Sequence, residues 1–197
     1  VGGAVYLNSI TNLTLSITNN TCNNITAFNN TEYYGGVIYI LTYNNGSTQA
    51  INIGNNTFAN NTDQQYAGVI YIFASDYANQ SIVMGNNIFT NNSGEVKLVF
   101  FGAGEYSNQS IVMGNNTFTN NSAQYDNGMI YIGADAHINQ SIVMENNTFT
   151  NNFVQYEGFI SILVDKYANQ SIVIGNNTFT NNTGEIELVS FGAGDYA

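Results

Sequence analysis

One phrase constrains this chain more than any other. NQSIVMGNNIFTNN at 79–92 recurs as NQSIVMGNNTFTNN at 108–121, NQSIVMENNTFTNN at 139–152 and NQSIVIGNNTFTNN at 169–182. A weaker copy, QAINIGNNTFANN, lies at 49–61, and a worn one, LSITNNTCNN, at 15–24, with Cys22 where the others carry phenylalanine. Phe58, Phe89, Phe118, Phe149 and Phe179 are 31, 29, 31 and 30 residues apart. Such a period means stacked supersecondary units, each unable to bury its apolar face alone. A longer period lies over it: residues 66–107 and 156–197 align without gaps, 27 of 42 identical, so three units form a larger block.

A second signature alternates with the first: GGAVYL at 2–7, GGVIYI at 35–40, AGVIYI at 67–72, NGMIYI at 127–132 and EGFISI at 157–162. GEVKL at 94–98 and GEIEL at 184–188 read as its divergent copies. Within GVIYI, Ile38 and Ile40 alternate with Val37 and Tyr39, the period of a strand buried on one face. The expected inward column is Val5/Leu7, Ile38/Ile40, Ile70/Ile72, Val96/Leu98, Ile130/Ile132, Ile160/Ile162 and Ile186/Leu188. In the NQSIVMG strand it is Ile51/Ile53, Ile82/Met84, Ile111/Met113, Ile142/Met144 and Ile172/Ile174. No segment carries a helical period with caps. The expectation is an all-β solenoid, one domain over residues 1–197, of about six coils of roughly 30 residues each. At one strand spacing per coil, the rod is on the order of 30 Å long.

Asparagine supplies the corners. The chain has 36, and Asn tolerates the left-handed backbone of a sharp turn. Its amide can also bond from coil to coil as a ladder. Two columns are available: the pairs Asn55/Asn56, Asn86/Asn87, Asn115/Asn116, Asn146/Asn147 and Asn176/Asn177, then Asn61, Asn92, Asn121, Asn152 and Asn182. Proline, which would delete a donor from a continuous ladder, is absent.

The motifs GG[AV][IV] and F-x-x-N resemble the repeats of chlamydial polymorphic outer-membrane proteins. The Asn/Thr-rich wording, NNTFTNN followed by GGVIY, is more similar still to adhesin-like surface proteins of methanogenic archaea. Five matches carry the second motif: Phe58–Asn61, Phe89–Asn92, Phe118–Asn121, Phe149–Asn152 and Phe179–Asn182. The Gly-Gly pair is intact only at Gly2–Gly3 and Gly35–Gly36. The resemblance implies a right-handed parallel β-helix exported to the cell surface, and it identifies no ligand.

Composition narrows function by exclusion. Thirteen acids against two lysines, Lys97 and Lys166, and no arginine give a formal net charge of -11, without the basic surface that nucleic acid requires. No run approaches the roughly 18 apolar residues of a membrane-spanning helix. A single cysteine forms no intrachain disulfide. No calcium-loop motif occurs, so neither metal nor cofactor is expected.

Catalysis was weighed against surface chemistry. A glycosidase needs two carboxylates about 5 to 10 Å apart. Asp76, Glu105, Asp135, Asp165 and Asp195 share one loop region, with Glu95, Glu185 and Glu187 expected on a strand, and stacking could bring Asp135 near Asp165. These acids follow the repeat, whereas an enzyme site breaks it; they read as a solvated face, and no catalytic residue is assigned. His137 replaces a tyrosine of the column Tyr77, Tyr106, Tyr167 and Tyr196 and reads as an aromatic substitute. Thr117/Thr119, Thr148/Thr150 and Thr178/Thr180 resemble an ice-binding array, which is broken in the coils of Ala59 and Thr90.

Seventeen Asn-x-Ser/Thr sequons are present. Asn79, Asn108, Asn139 and Asn169 form one candidate glycosylation column, and Asn115, Asn146 and Asn176 another. A contact site is expected where the repeat shortens. From the Phe to the motif Gly the spacing is nine or ten residues at Gly68, Gly128 and Gly158, but five at Gly94 and Gly184. There the outward position of Tyr39, Tyr71 and Tyr131 reads as Lys97 or Glu187, leaving a notch beside Tyr66, Tyr125 and Tyr156 for sugar stacking. The expected function is the shaft of an extracellular adhesin or surface filament, with a structural fibre and a polysaccharide-active enzyme as rivals. Expected partners are further coils or copies of the chain at both ends, then glycans or another cell surface.

Overall fold

The structure is a computed structural model that describes residues 4–8, 11–27, 36–63, 67–125, 128–156, 158–184 and 188–193. It is a parallel β-solenoid in which each coil contributes one strand to each of four faces. The first face holds seven strands: Val5–Asn8, Ile38–Thr42, Ala67–Ala74, Lys97–Ala103, Ile130–Ala134, Ile160–Val164 and Val189–Ala193. The second holds six: Asn12–Thr18, Thr48–Gly54, Asn79–Gly85, Asn108–Gly114, Asn139–Glu145 and Asn169–Gly175. The third face is the Phe-centred triplets, from Thr21–Asn23 and Thr57–Ala59 through Thr117–Thr119 to Thr178–Thr180. The fourth is a column of two-residue strands from Thr26–Ala27 to Thr183–Gly184. Among the described residues there is no helix, hence none long and apolar enough to cross a membrane.

The core follows from strand alternation. On the second face Ile51, Ile53, Ile82, Met84, Ile111 and Met113 are buried, while Val83, Val112 and Val173 face solvent. Phe58, Phe89, Phe118 and Phe149 are fully buried and stack at 4.9, 4.5 and 4.8 Å between ring centres, with Phe179 a further 4.7 Å on. Cys22 pairs with Phe58 at the end of that column, and burial pushes its thiol pKa up.

The two asparagines of each pair divide the labour. The first adopts the left-handed conformation, with φ of 55° at Asn55, 57° at Asn86 and Asn115, 58° at Asn146 and 54° at Asn176. The second is buried and laddered. The backbone N–H and Nδ2 of Asn56, Asn87 and Asn116 donate to Oδ1 of Asn87, Asn116 and Asn147 respectively, each at 3.0 Å. Nδ2 also reaches back to a core carbonyl, as Asn116 does to Met84 O at 2.9 Å. Asn92, Asn121, Asn152 and Asn182 repeat the arrangement over the Phe carbonyls, and Asn61 over the Cys22 carbonyl. Such buried amides are tolerated because every rung satisfies the next.

A third ladder runs through the core edge. Nε2 of Gln80, Gln109, Gln140 and Gln170 donates to Oε1 of Gln49, Gln80, Gln109 and Gln140 at 2.9, 2.7, 2.6 and 2.7 Å. Its polarity is opposite to that of the Asn ladders, whose oxygens point toward the earlier coil.

The first face corrects part of the expected register. Val99 and Phe101, not Val96 and Leu98, pair with Ile70 and Ile72, and an irregularity between Lys97 and Val99 absorbs the difference. Likewise Val189 and Phe191 stand where Ile186 and Leu188 were expected. Leu98 is still buried. The cause is Gly94: it lies in the fourth face, paired with Asp63 and Ala123, rather than opening the first. GEVKL is therefore no copy of GVIYI.

Candidate functional site

Two corners flank the first face. The tight corner, leading to the second face, is a turn whose third residue is Tyr77, Tyr106, His137 or Tyr167, all left-handed with φ of 56–58°. A β-carbon in that conformation is strained by about 1–2 kcal/mol. Here the rings stack outside the turn: Tyr77 on Tyr106 at 5.1 Å, Tyr106 on His137 at 4.7 Å, and His137 on Tyr167 at 4.8 Å. His137 is thus an aromatic member of an exposed column, as its position in the repeat implied. The left-handed backbone beneath it was invisible in the sequence, where glycine or asparagine would have been the signal.

The acids of this corner lie beside that column. Asp76 Oδ1 accepts the Glu105 N–H at 3.0 Å, and Asp165 Oδ1 accepts the Lys166 N–H at 2.7 Å. Desolvation raises the Asp135 carboxyl above its ordinary range, and the charges of Asp76, Glu105 and Asp165 raise it further. Among the described residues no group of three or more His, Cys, Asp or Glu side chains is placed to hold a metal ion. Asp195, Tyr196, Glu185 and Glu187 lie outside the described residues.

The long corner, from the fourth face to the first, carries the expected contact residues. Tyr66 lies outside the described residues. Tyr125 and Tyr156 are exposed, and Tyr156 accepts a hydrogen bond from Gln155 Nε2 at 3.2 Å. Tyr125 borders a recess of about 400 Å³ with Thr62, Asp63, Ser93, Glu95 and Gln124, and its N–H donates to Glu95 O at 2.7 Å. The corrected register shrinks the expected shortening here. Phe89 precedes Val99 by 10 residues and Phe58 precedes its partner Ile70 by 12, a two-residue deletion and not five.

That deletion also relocates Lys97. Phe100, not Lys97, continues the outward aromatic column, which stacks as Tyr6, Tyr39, Tyr71, Phe100 and Tyr131 at 4.9, 5.2, 4.5 and 5.6 Å. Lys97 is 2% exposed, and its Nζ lies 4.8 Å from the Phe100 ring centre and 4.3 Å from that of Tyr131. Tyr39 is also 2% exposed, and Tyr71 and Phe100 are buried, so the middle of this outward column is covered, while Tyr6 at its end is exposed.

Of the candidate glycosylation residues, Asn79, Asn108, Asn139 and Asn169 are all exposed on the second face. Asn108 and Asn139 each donate through Nδ2 to the preceding member's Oδ1 at 3.0 Å. Asn115, Asn146 and Asn176 are exposed at their left-handed corners. No protein-family model, curated protein or solved structure matches this chain.

Proposed function

We propose that the chain is a shaft segment of an extracellular adhesin or surface filament, non-catalytic, which presents its corners to glycans or to another cell surface. The observation that supports this most is where the coils vary. The spacing from the Gln ladder to the first Asn ladder and on to the second is 7 and 5 residues in every coil from Gln49 to Asn182. From the second Asn ladder to the first-face residues Ile70, Val99, Ile130, Ile160 and Val189 it is 9, 7, 9, 8 and 7. A rigid laddered frame with variation gathered at one corner is how scaffolds present contact loops.

The acids keep to the repeat, which supports a non-catalytic surface. The exposed sequon columns would accept glycans on alternate coils, since neighbours one strand spacing apart crowd each other. Microspheres coated with the purified protein test the reading: adhesion to cells and discrete signals on a printed glycan array are expected. A featureless array with non-adherent microspheres would replace it with a structural fibre, and release of reducing ends from polysaccharide would replace it with an enzyme.

A further inference from the structure

The outward surface of the first face interrupts its apolar pattern at glycines, at Gly102 and Gly133 and again at Gly192. Next to the aromatic column runs a second outward column, in register: Leu41, Phe73, Gly102, Gly133 and Leu163. Two consecutive coils lack a side chain there. Their glycines make room for rings: a β-carbon at Gly102 would lie 2.6 Å from Phe100 Cζ, and one at Gly133 2.5 Å from Tyr131 Cε1. The aromatic column ends at the same level, because the coil after Tyr131 carries Ser161. Beside these rings lies a recess of about 430 Å³, lined by Phe73, Tyr131 and Leu163 together with Lys97, Asp135 and Asp165.

We propose that this recess is a binding subsite for one unit of a neutral saccharide, its apolar face against the Phe73, Tyr131 and Leu163 side chains and its hydroxyls toward the Asp135 and Asp165 carboxylates. Sugar hydroxyls both donate and accept, and the two exposed carboxylates of the recess accept. Aromatic and aliphatic walls with a few convergent polar groups are the usual make-up of a small-molecule site. A cationic ligand is disfavoured because the chain's own ammonium already holds the position over the rings. An anionic saccharide is disfavoured by the net charge of -11 and by the neighbouring Asp76 and Glu105. The acids alone would not mark a site; the apolar walls of Phe73 and Leu163 and the end of the ring column at Tyr131 lie beside them in one recess.

The subsite deepens the adhesin reading and rests on it, so the test separates the two. The whole chain is titrated with maltotriose, cellotriose, mannotriose, chitotriose and, as the anionic arm, trigalacturonate, followed by amide chemical shifts. At least one neutral trisaccharide should shift the amides of Gly102, Gly133, Asp135 and Asp165. D135N/D165N should weaken that binding at least tenfold with an unchanged circular dichroism spectrum, and Val112→Thr on the second face should leave it intact. No neutral trisaccharide bound at millimolar concentration, shifts confined to other residues, equal binding of trigalacturonate, or an undiminished D135N/D165N affinity would each overturn the subsite. Microsphere adhesion read in parallel decides the wider reading: adhesion without saccharide binding removes the recess alone, and saccharide binding without adhesion removes the adhesin alone.

Discussion

Asn115 and Asn116 are adjacent, identical and chemically unequal, which makes them a sharp test of how the fold is held. Asn115 is exposed at φ 57° and makes the turn; Asn116 is fully buried and links three coils. Its Oδ1 accepts the Asn87 N–H and Nδ2, each at 3.0 Å, and its Nδ2 donates to Met84 O at 2.9 Å and Asn147 Oδ1 at 3.0 Å. Asn116→Ala strips the Asn87 backbone N–H and the Met84 carbonyl of that side chain at a fully buried position. At about 1–3 kcal/mol for each buried group left unsatisfied, the loss is about 2–6 kcal/mol. Asn115→Ala loses only the tolerance of a left-handed backbone, about 1 kcal/mol, and Asn115→Gly should be near neutral because glycine adopts that conformation freely. Urea denaturation supplies the ranking, and amide hydrogen exchange supplies the location, since protection at Asn87 should fall in Asn116→Ala and persist in Asn115→Ala. Equal destabilisation by the two alanines, or an Asn87 amide still protected in Asn116→Ala, would refute the division of labour.

Other perturbations follow from the same geometry. Phe118→Ala opens the ring column between Phe89 and Phe149 and should cost about 3–5 kcal/mol, against less than about 0.5 kcal/mol for Thr119→Ala on the outward side; equal shifts in thermal midpoint would place the register one residue off. Gln109→Leu orphans Gln80 Oε1 and Gln140 Nε2 and should cost about 1–3 kcal/mol, while leucine at all five Gln positions should recover most of it; denaturation midpoints of the single and fivefold variants decide this. Asp135 titrates above its ordinary value in the fold, so its contribution is fully present at low pH and is lost as pH rises through the raised value. Stability measured across that window should fall with rising pH in the parent and less so in Asp135→Asn. Tyr125→Ser with Tyr156→Ser should lower microsphere adhesion without moving the thermal midpoint, since both rings are exposed.

The parts of the fold legible in the sequence are those that repetition makes redundant. Phe118 is inward because five copies agree, and the Asn columns ladder because their spacing never changes. Three features escaped for separate physical reasons. The Gln ladder hid inside a sequon: in N-Q-S the eye follows Asn108 and Ser110, which face out, while Gln109 between them points in and is 2% exposed. Polarity argued for the surface, and only a partner at one strand spacing reverses that argument. Tyr106 and His137 showed no sign of a left-handed turn, because ring stacking at 4.7 Å accompanies a conformation their β-carbons disfavour. Gly94 misled because a glycine followed by alternating apolar residues imitates the strand opening that actually begins at Lys97.

That last misreading explains where functional character gathers in such a fold. A two-residue deletion in a free strand would keep each side chain on its face, because the period is two, but would slide the whole strand two positions along its neighbours. Here the first-face strand of the shortened coil is clamped at both ends, by Asn92 before it and Gln109 after it, so the deletion cannot propagate. The slack is taken up within a few residues, between Lys97 and Val99, and a lysine is carried against the Phe100 and Tyr131 rings as a consequence. The ladders thus convert a change in corner length into a local chemical change and leave the rod unaltered. Any coil of this solenoid could acquire a site in the same way, by altering the long corner alone. The recess beside Lys97, Asp135 and Asp165 is a product of the frame's rigidity, because only a frame that does not yield confines the change to the corner and holds the lysine against the Phe100 and Tyr131 rings.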